Sequence, residues 1–392
     1  MSKNTGGFIG QDGIKAPDPA TGVSGASGQE KVVVSFTAPE NVGGSAITGY
    51  RAQSNDGIGS SGSASPITVS GLTGATSYTF NVWAINAFGW SSPSDASAAV
   101  VPAAAPTPYG LFFSGYGTGV SAINQITFAS LGNATDIGDL SIVRATASQG
   151  SATRAVISTF RNSASDSPAN AGIDLIEYVT FGTAGNATDF GNLTLARWAG
   201  SSVGNSTRCC FSGGYPTSGA SNVIDYVTIA TTGNAIDFGD TTVANGQSGG
   251  LASPTRGVTK TSSGNIIEYI TTATTGNATD FGDGTQSYYD TMGASSSTRG
   301  LFAGGYSGGA IKNIDYITIA TAGNAADFGD LTINRQGYSS GASNNITAVF
   351  AGDTSASMEK VTIATLGNGT SFGNLTQATA ATGCSNVHGG LQ

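Results

Sequence analysis

Apolar and polar positions alternate in short runs along the whole chain. Lys31-Val-Val-Val-Ser-Phe36, Ala46-Ile-Thr-Gly-Tyr50, Pro66-Ile-Thr-Val69 and Ser77-Tyr-Thr-Phe-Asn-Val-Trp-Ala-Ile85 are bounded by Gly, Pro, Asn and Ser, the signature of strands and turns. In the last run Tyr78, Phe80, Val82 and Ala84 alternate with Thr79, Asn81, Trp83 and Ile85, the two-residue period of a strand with one better-buried face. The spacing predicts a β-sandwich over residues 15–103. Residues 1–14 are glycine-rich and without period, which predicts an extended arm. Within the Pro/Ala stretch Val101–Pro108, residues 104–108 are predicted to be a semi-rigid linker.

Beyond the linker the pattern repeats. The phrase Gly-Asn-Ala-x-Asp-Phe-Gly-Asp recurs, with variations, with its glycine at 132, 185, 233, 276, 323 and 367, at spacings of 53, 48, 43, 47 and 44 residues. Upstream of it stand Ile176-Glu-Tyr-Val179, Ile224-Asp-Tyr-Val227, Ile267-Glu-Tyr-Ile270 and Ile314-Asp-Tyr-Ile317. Before these come runs opened by Thr-Arg at Arg154, Arg208, Arg256 and Arg299, and three runs close on Tyr116, Tyr215 or Tyr306. Each unit reads as strand, loop, strand, turn, strand, then a Ser/Gly-rich stretch. No helical period competes, and ankyrin, tetratricopeptide and leucine-rich repeats are shorter. The period is that of a β-propeller blade, so residues 109–392 are expected to form a six-bladed propeller. Both end copies lack the tyrosine, reading Ile123-Asn-Gln-Ile126 and Met358-Glu-Lys-Val361. Val387-His-Gly-Gly-Leu391 echoes the Leu111 run and is expected to complete the first blade and remove its open edge. An elongated β-solenoid or an intertwined fibre fits the same repeats.

Charge narrows the partners. Charged residues are only 10% of the chain, and 15 Lys and Arg against 24 Asp and Glu give a formal charge of −9. No basic cluster exists to hold phosphates, so nucleic acid is not an expected partner. No apolar run spans a bilayer and no signal-type h-region opens the chain, so neither membrane insertion nor secretion by a standard signal is expected. Three cysteines, two of them adjacent, make no disulfide framework and suit folding in a reducing cytoplasm.

Candidate chemistry is sparse. The recurring Asp-Phe-Gly reads as a turn element, since the other kinase signatures are absent. Pairs such as Asp237 with Asp240, or Asp280 with Asp283, lack the spacing of a calcium loop, and no metal site or cofactor is expected. Co-occurrence of Thr-Arg with Ile-Asp/Glu-Tyr suggests arginine–carboxylate pairing between strands; alternatively Arg154, Arg208, Arg256 and Arg299 line a central channel for acidic sugars. Cys209 and Cys210 read as buried packing groups. Tyr116, Tyr215, Tyr306 and Trp198 are candidates for stacking on sugar rings, or for filling gaps between blades. His388 is the single histidine, which disfavours Ser-His-Asp and Cys-His catalysis, and no enzyme activity is expected.

Three resemblances follow from these residues. Gly71-Leu-Thr-Gly-Ala-Thr-Ser-Tyr-Thr-Phe-Asn-Val82, with Ala84, Asn86 and Gly89, resembles a fibronectin type III domain. That implies a tyrosine corner formed by Leu72 and Tyr78, with Phe36 where the family usually has tryptophan. Strands ending in Gly-Gly-Tyr resemble kelch repeats, though the kelch tryptophan is missing from every copy. The whole chain, opening on Asn4-Thr-Gly-Gly-Phe-Ile-Gly-Gln-Asp12, resembles tail-fibre and virion proteins of marine and cyanobacterial phages. That resemblance implies a structural virion protein on the tail or particle surface, assembled in the host cytoplasm and oligomeric there. By the same resemblance the arm and sandwich meet other virion proteins, while the repeats contact host-surface glycans. A capsid or neck decoration without receptor binding, and a cellular carbohydrate-binding protein, are the alternatives.

Overall fold

The computed structural model describes residues 15–105, 107–115, 120–142, 144–159, 173–217, 219–336, 341–353, 355–379 and 381–391. The arm expected at 1–14 lies outside the described residues, as does Tyr116. The protein is all-β: among the described residues the one helical element is the 3-10 turn Gly389–Leu391, and no helix is long and apolar enough to cross a membrane. Two compact units are present, one within Met1–Pro106 and one within Thr107–Gln392.

In the first unit a three-stranded sheet, Thr21–Gly28, Lys31–Thr37 and Ile67–Ser70, accompanies a four-stranded one, Gly59–Gly62, Gly49–Ser54, Phe80–Asn86 and Gly89–Trp90. Alternation places Val32, Val34, Ala52, Val69, Phe80, Val82 and Ala84 in one core at 0% exposure, the arrangement that the period-two pattern encodes. Phe36 packs on Tyr50 with ring centroids 4.8 Å apart, so an aromatic pair does the filling expected of one larger ring. The Tyr78 hydroxyl accepts the Thr73 N–H at 3.0 Å, pinning the turn beside buried Leu72. Ser91, Ser94 and Ser97 recur every third residue, and their hydroxyls accept the N–H groups of Ala84, Val82 and Phe80. A segment without a two-residue period thereby closes the edge of Phe80–Asn86.

Among the described residues the second unit holds six four-stranded antiparallel sheets. The second is typical: Ala145–Gly150, Arg154–Thr159, Ile173–Thr180 and Thr188–Arg197 pair in chain order. The Ser/Gly-rich stretches form the first strand of each sheet: Ser201–Gly204, Gly249–Ala252, Met292–Ser295 and Ala342–Ser343 open the third to sixth. They are small because neighbouring sheets meet there. A Cβ on Gly250 would lie 2.1 Å from Ser202 O, and one on Gly293 2.0 Å from Gly250 O.

The first sheet borrows its first strand from the far end of the chain. Ala381–Ser385 pairs with Tyr109–Ser114, Gly383 opposite Phe112. This corrects the expectation that Val387–Leu391 is the completing strand. Gly383 stands where a Cβ would come within 2.8 Å of the Phe112 ring, so the position is selected for smallness, whereas residues 389–391 coil into the 3-10 turn.

The Gly-Asn phrase joins sheets. Gly185, Gly233, Gly276, Gly323, Gly367 and Gly132 donate their N–H groups to the carbonyls of Ile137, Phe190, Phe238, Phe281, Phe328 and Phe372 of the neighbouring sheet at 2.7–3.1 Å. The following asparagines, Asn186, Asn234, Asn277, Asn324, Asn368 and Asn133, accept through Oδ1 the N–H groups of Asp139, Asn192, Asp240, Asp283, Asp330 and Asn374 at 3.0–3.1 Å. The sixth junction pairs the last sheet with the first. Close approach sets the glycine of Asp-Phe-Gly as well: a Cβ on Gly239, at φ +144°, would sit 2.5 Å from Gly276 O. Asp-Phe-Gly is therefore strand, with a bulge beside the glycine, and its phenylalanines are core residues.

Candidate functional site

The four Thr-Arg arginines open the second strands and point across to the next sheet. Arg154 Nη1 donates to the carbonyls of Ile229 and Ala230, Arg208 to Thr272 and Ala273, Arg256 to Ile319 and Ala320, and Arg299 to Ile363 and Ala364, at 2.8–3.2 Å. Each guanidinium also covers a tyrosine of its own sheet, 4.3–4.8 Å from the ring centroids of Tyr178, Tyr226, Tyr269 and Tyr316. Those tyrosines rest edge-on against Phe190, Phe238, Phe281 and Phe328. The arginines are thus joints between sheets, held by carbonyls and cation–π contact. This corrects both expectations for them, the carboxylate pairing and the channel lining.

The carboxylates of the same repeats face the preceding sheet. Asp225 accepts the Thr194 hydroxyl, Glu268 accepts Thr242 N–H and Oγ1 at 2.8 and 2.7 Å, Asp315 those of Thr285 at 3.1 and 2.7 Å, and Glu359 the Thr332 N–H at 2.5 Å. In the first copy Asn124 takes this place, accepting from Thr376. All these acids are almost fully buried. Arg197 reaches Asp225 at 2.8 Å and Arg335 reaches Glu359 at 3.1 Å, both pairs out of solvent. Burial pushes Lys260 down to about 8, opposed by Asp315 and Asp283.

A small cavity lies among the first strands. Of about 20 Å³ and lined by Gln149, Gly250, Gly293, Ser343, Gly383 and His388, it has room for roughly one water. His388 is buried, its Nε2 is 2.7 Å from Gly150 O and its Nδ1 accepts the Gly390 N–H. Burial depresses the imidazole to about 4. The folded state therefore binds its proton less readily than the unfolded chain, and the contribution is complete above pH 6.5 and declines as pH falls toward 4. Replacing His388 by Gln is expected to flatten the loss of thermal stability across that window, by up to about 3 kcal/mol at its acid end; calorimetry at pH 7 and pH 4.5 measures it. Cys209, Cys210 and Cys384 are free and buried, and burial raises all three thiols, Cys210 and Cys384 to about 12. That holds them as unreactive packing groups.

One face gathers the aromatic candidates. The connections from second to third strand and from fourth strand to the next sheet share this face, because antiparallel strands return to it alternately. Trp198 and Tyr215 pair there, with ring centroids 5.0 Å apart and mutual backbone hydrogen bonds. Tyr289 and Tyr306 repeat the arrangement at 5.3 Å. All four rings are half-buried. Between the pairs the Tyr215 hydroxyl lies 3.5 Å from Gln247 Oε1, and Gln247 Nε2 donates to Asp290 Oδ2 at 3.3 Å. Ala199, Gln247 and Asp290 all adopt positive φ, at 56°, 52° and 57°, and stack through the backbone, Gln247 N–H to Ala199 O and Asp290 N–H to Gln247 O. Left-handed backbone at three non-glycine residues is costly. Burial pushes the Asp290 carboxyl up to about 7. Tyr215, Tyr306 and Trp198 thus belong to one strip. Gln247, Tyr289 and Asp290 were missed, because they sit in segments with no repeated phrase. Among the described residues no three or more His, Cys, Asp and Glu side chains gather as metal ligands.

Residues 17–100 match the family model of the fibronectin type III domain. That segment is a fibronectin type III domain. Its two sheets and the Tyr78–Thr73 bond agree with the match. A solved structure of domains A168–A170 of titin is 33% identical over 22% of this chain and 32% of its own, with a TM-score of 0.22. The chain thus covers about a third of that titin structure. No curated protein matches.

Proposed function

We propose that the chain is a non-enzymatic structural protein of a phage particle, in which the fibronectin type III domain is a spacer and residues 109–392 form a closed six-bladed, kelch-like β-propeller displayed for contact with host-surface glycans. Support for closure comes from the six Gly-Asn junctions, the last of which joins the sixth sheet to the first, and from the shared first sheet. The observation that carries the contact role is the strip Trp198–Tyr215–Gln247–Asp290–Tyr289–Tyr306. The repeated arginines and acids are engaged in joints, whereas these half-buried rings flank the half-buried Gln247 amide, which buried Asp290 holds in place, a combination suited to a pyranose with its apolar face and hydroxyl rim.

Glycan-array and cell-adsorption measurements on the full chain test this. Retention of neutral glycans is expected, with Trp198→Ala or Tyr215→Ala weakening binding about tenfold, on the order of 1.4 kcal/mol, at unchanged melting temperature. Absence of binding to any glycan or host cell, together with saturable binding to the capsid lattice, makes the chain a decoration instead.

A further inference from the structure

We propose, resting on the glycan reading above, that the aromatic strip is an extended site for several consecutive units of one unbranched, neutral polysaccharide, with its two ring pairs as separate stacking subsites on either side of Gln247. Three successive sheets hold the groups concerned. Trp198 lies three residues before Ser201–Gly204 and Tyr215 three residues after Arg208–Ser212, and Tyr289 and Tyr306 stand at the same offsets from Met292–Ser295 and Arg299–Ala303. The sheet between them, which contains Gly249–Ala252 and Arg256–Lys260, has Gly246 and Ser263 at those offsets. It contributes no ring there.

Glycine is what lets the two pairs approach across that sheet. A Cβ on Gly246 would lie 2.4 Å from the Tyr215 ring, so its absence allows Tyr215 to lean over the middle sheet, while the Gly246 N–H is taken by Ser262 Oγ at 3.2 Å. From the far side, the Tyr289 hydroxyl is held above the ordinary tyrosine range by burial and by nearby Asp290, Tyr306 and Tyr215. The facing rings of the two pairs thus lie within one another's field. Backbone fixes their spacing. Trp198, Gly246 and Tyr289 each precede one of the left-handed corners Ala199, Gln247 and Asp290, and those corners are bonded in series, Gln247 N–H to Ala199 O at 2.6 Å and Asp290 N–H to Gln247 O at 2.9 Å. A row held in this way is ordered before a ligand arrives. Charge selects the class of sugar. Asp290 is 4% exposed, and Trp198, Tyr215, Gln247, Tyr289 and Tyr306 carry no formal charge, so these side chains offer no ion pair to a carboxylated, sulfated or amino sugar. The half-buried rings present flat apolar faces, and the Gln247 amide between them can bond a hydroxyl. A single pyranose covers one pair only. A chain engages both, and two linked weak contacts bind far more tightly than either alone.

Isothermal titration of the full chain with cello-, manno-, malto- and galacto-oligosaccharides of one to six units tests this. In at least one series affinity is expected to rise about tenfold or more between two and four units, then level off. Tyr306→Ala is expected to lower four-unit affinity about tenfold but two-unit affinity about twofold at most, since Trp198 and Tyr215 remain to hold the shorter chain. Gly246→Ala removes no ring but displaces Tyr215, and should weaken the four-unit chain more than the two-unit one. Affinity independent of length, equal losses on short and long chains in Tyr306→Ala, or a proline-rich peptide binding the strip where no oligosaccharide does overturns the proposal. The length series needs no variant and stands if the substituted chains fail to fold. Glycan arrays that retain single or branched sugars, while no series gains affinity with length, defeat the extended site alone. Arrays and oligosaccharides without any binding defeat the glycan reading with it.

Discussion

Ending the chain after Ala378 is expected to abolish the cooperative unfolding transition of the second unit while leaving the fibronectin type III domain folded. The missing segment contains Ala381–Ser385, one of the two strands flanking Tyr109–Ser114. Leu111, Phe112 and Phe113 are wholly buried, and uncovering side chains of this size costs about 1.5–3 kcal/mol each. Three such losses reach the total stability of an ordinary domain, about 5–15 kcal/mol. The damage spreads, because Ser385 Oγ donates to Ser343 O of the sixth sheet and Thr382 meets Ser148 of the second. Asn386 also holds the entry strand, accepting the Tyr109 N–H and donating to Thr107 O. Calorimetry and limited proteolysis of full-length and shortened chains measure this. A shortened chain that melts cooperatively within a few degrees of the intact one contradicts the account.

Arg335→Leu is the point change with the largest expected cost, about 3–5 kcal/mol, which lowers the melting temperature by roughly 10 °C for a unit of this size. Arg335 is among the largest wholly buried side chains. Besides Glu359 it serves Gly352 O and Ser357 Oγ at 3.1 and 2.7 Å, so its loss strands a carboxylate and two further acceptors. A second change, Glu359→Gln, removes the stranded charge. The pair Arg335→Leu/Glu359→Gln is therefore expected to be more stable than Arg335→Leu alone, and a double-mutant cycle reads the coupling. Additive losses would show that the ion pair carries little of the junction.

Period-two alternation made the strands of both units legible, and repetition made the number of units legible, because each needs only local sequence. Strands whose residues face neither core nor solvent in alternation escaped. Thr21–Gly28 and Gly59–Gly62 are Ser- and Gly-rich edge strands, and the first strands of the six sheets are rich in Ser, Gly and Ala because backbone meets backbone there. Repetition flagged Gly-Asn, Arg and Asp/Glu as important without giving their partners, since each partner lies one repeat away. That is why Arg154 and its counterparts pointed to pairing inside a sheet or to a channel. Tyr215, Tyr306 and Trp198 were legible as candidates. Gln247 and Asp290 join them only through left-handed corners, which no residue type there announces.

The segment between second and third strands runs over 160–172 in the second sheet and only 353–354 in the sixth. Where these connections are described, as at Tyr215 and Tyr306, they open on the face that carries the aromatic strip, while the glycine-locked junctions belong to other edges. Changes at that face that spare the Ala199, Gln247 and Asp290 corners leave the Gly-Asn junctions in register, so recognition can drift there at little cost to the scaffold, and variation among descendants of this chain should concentrate there.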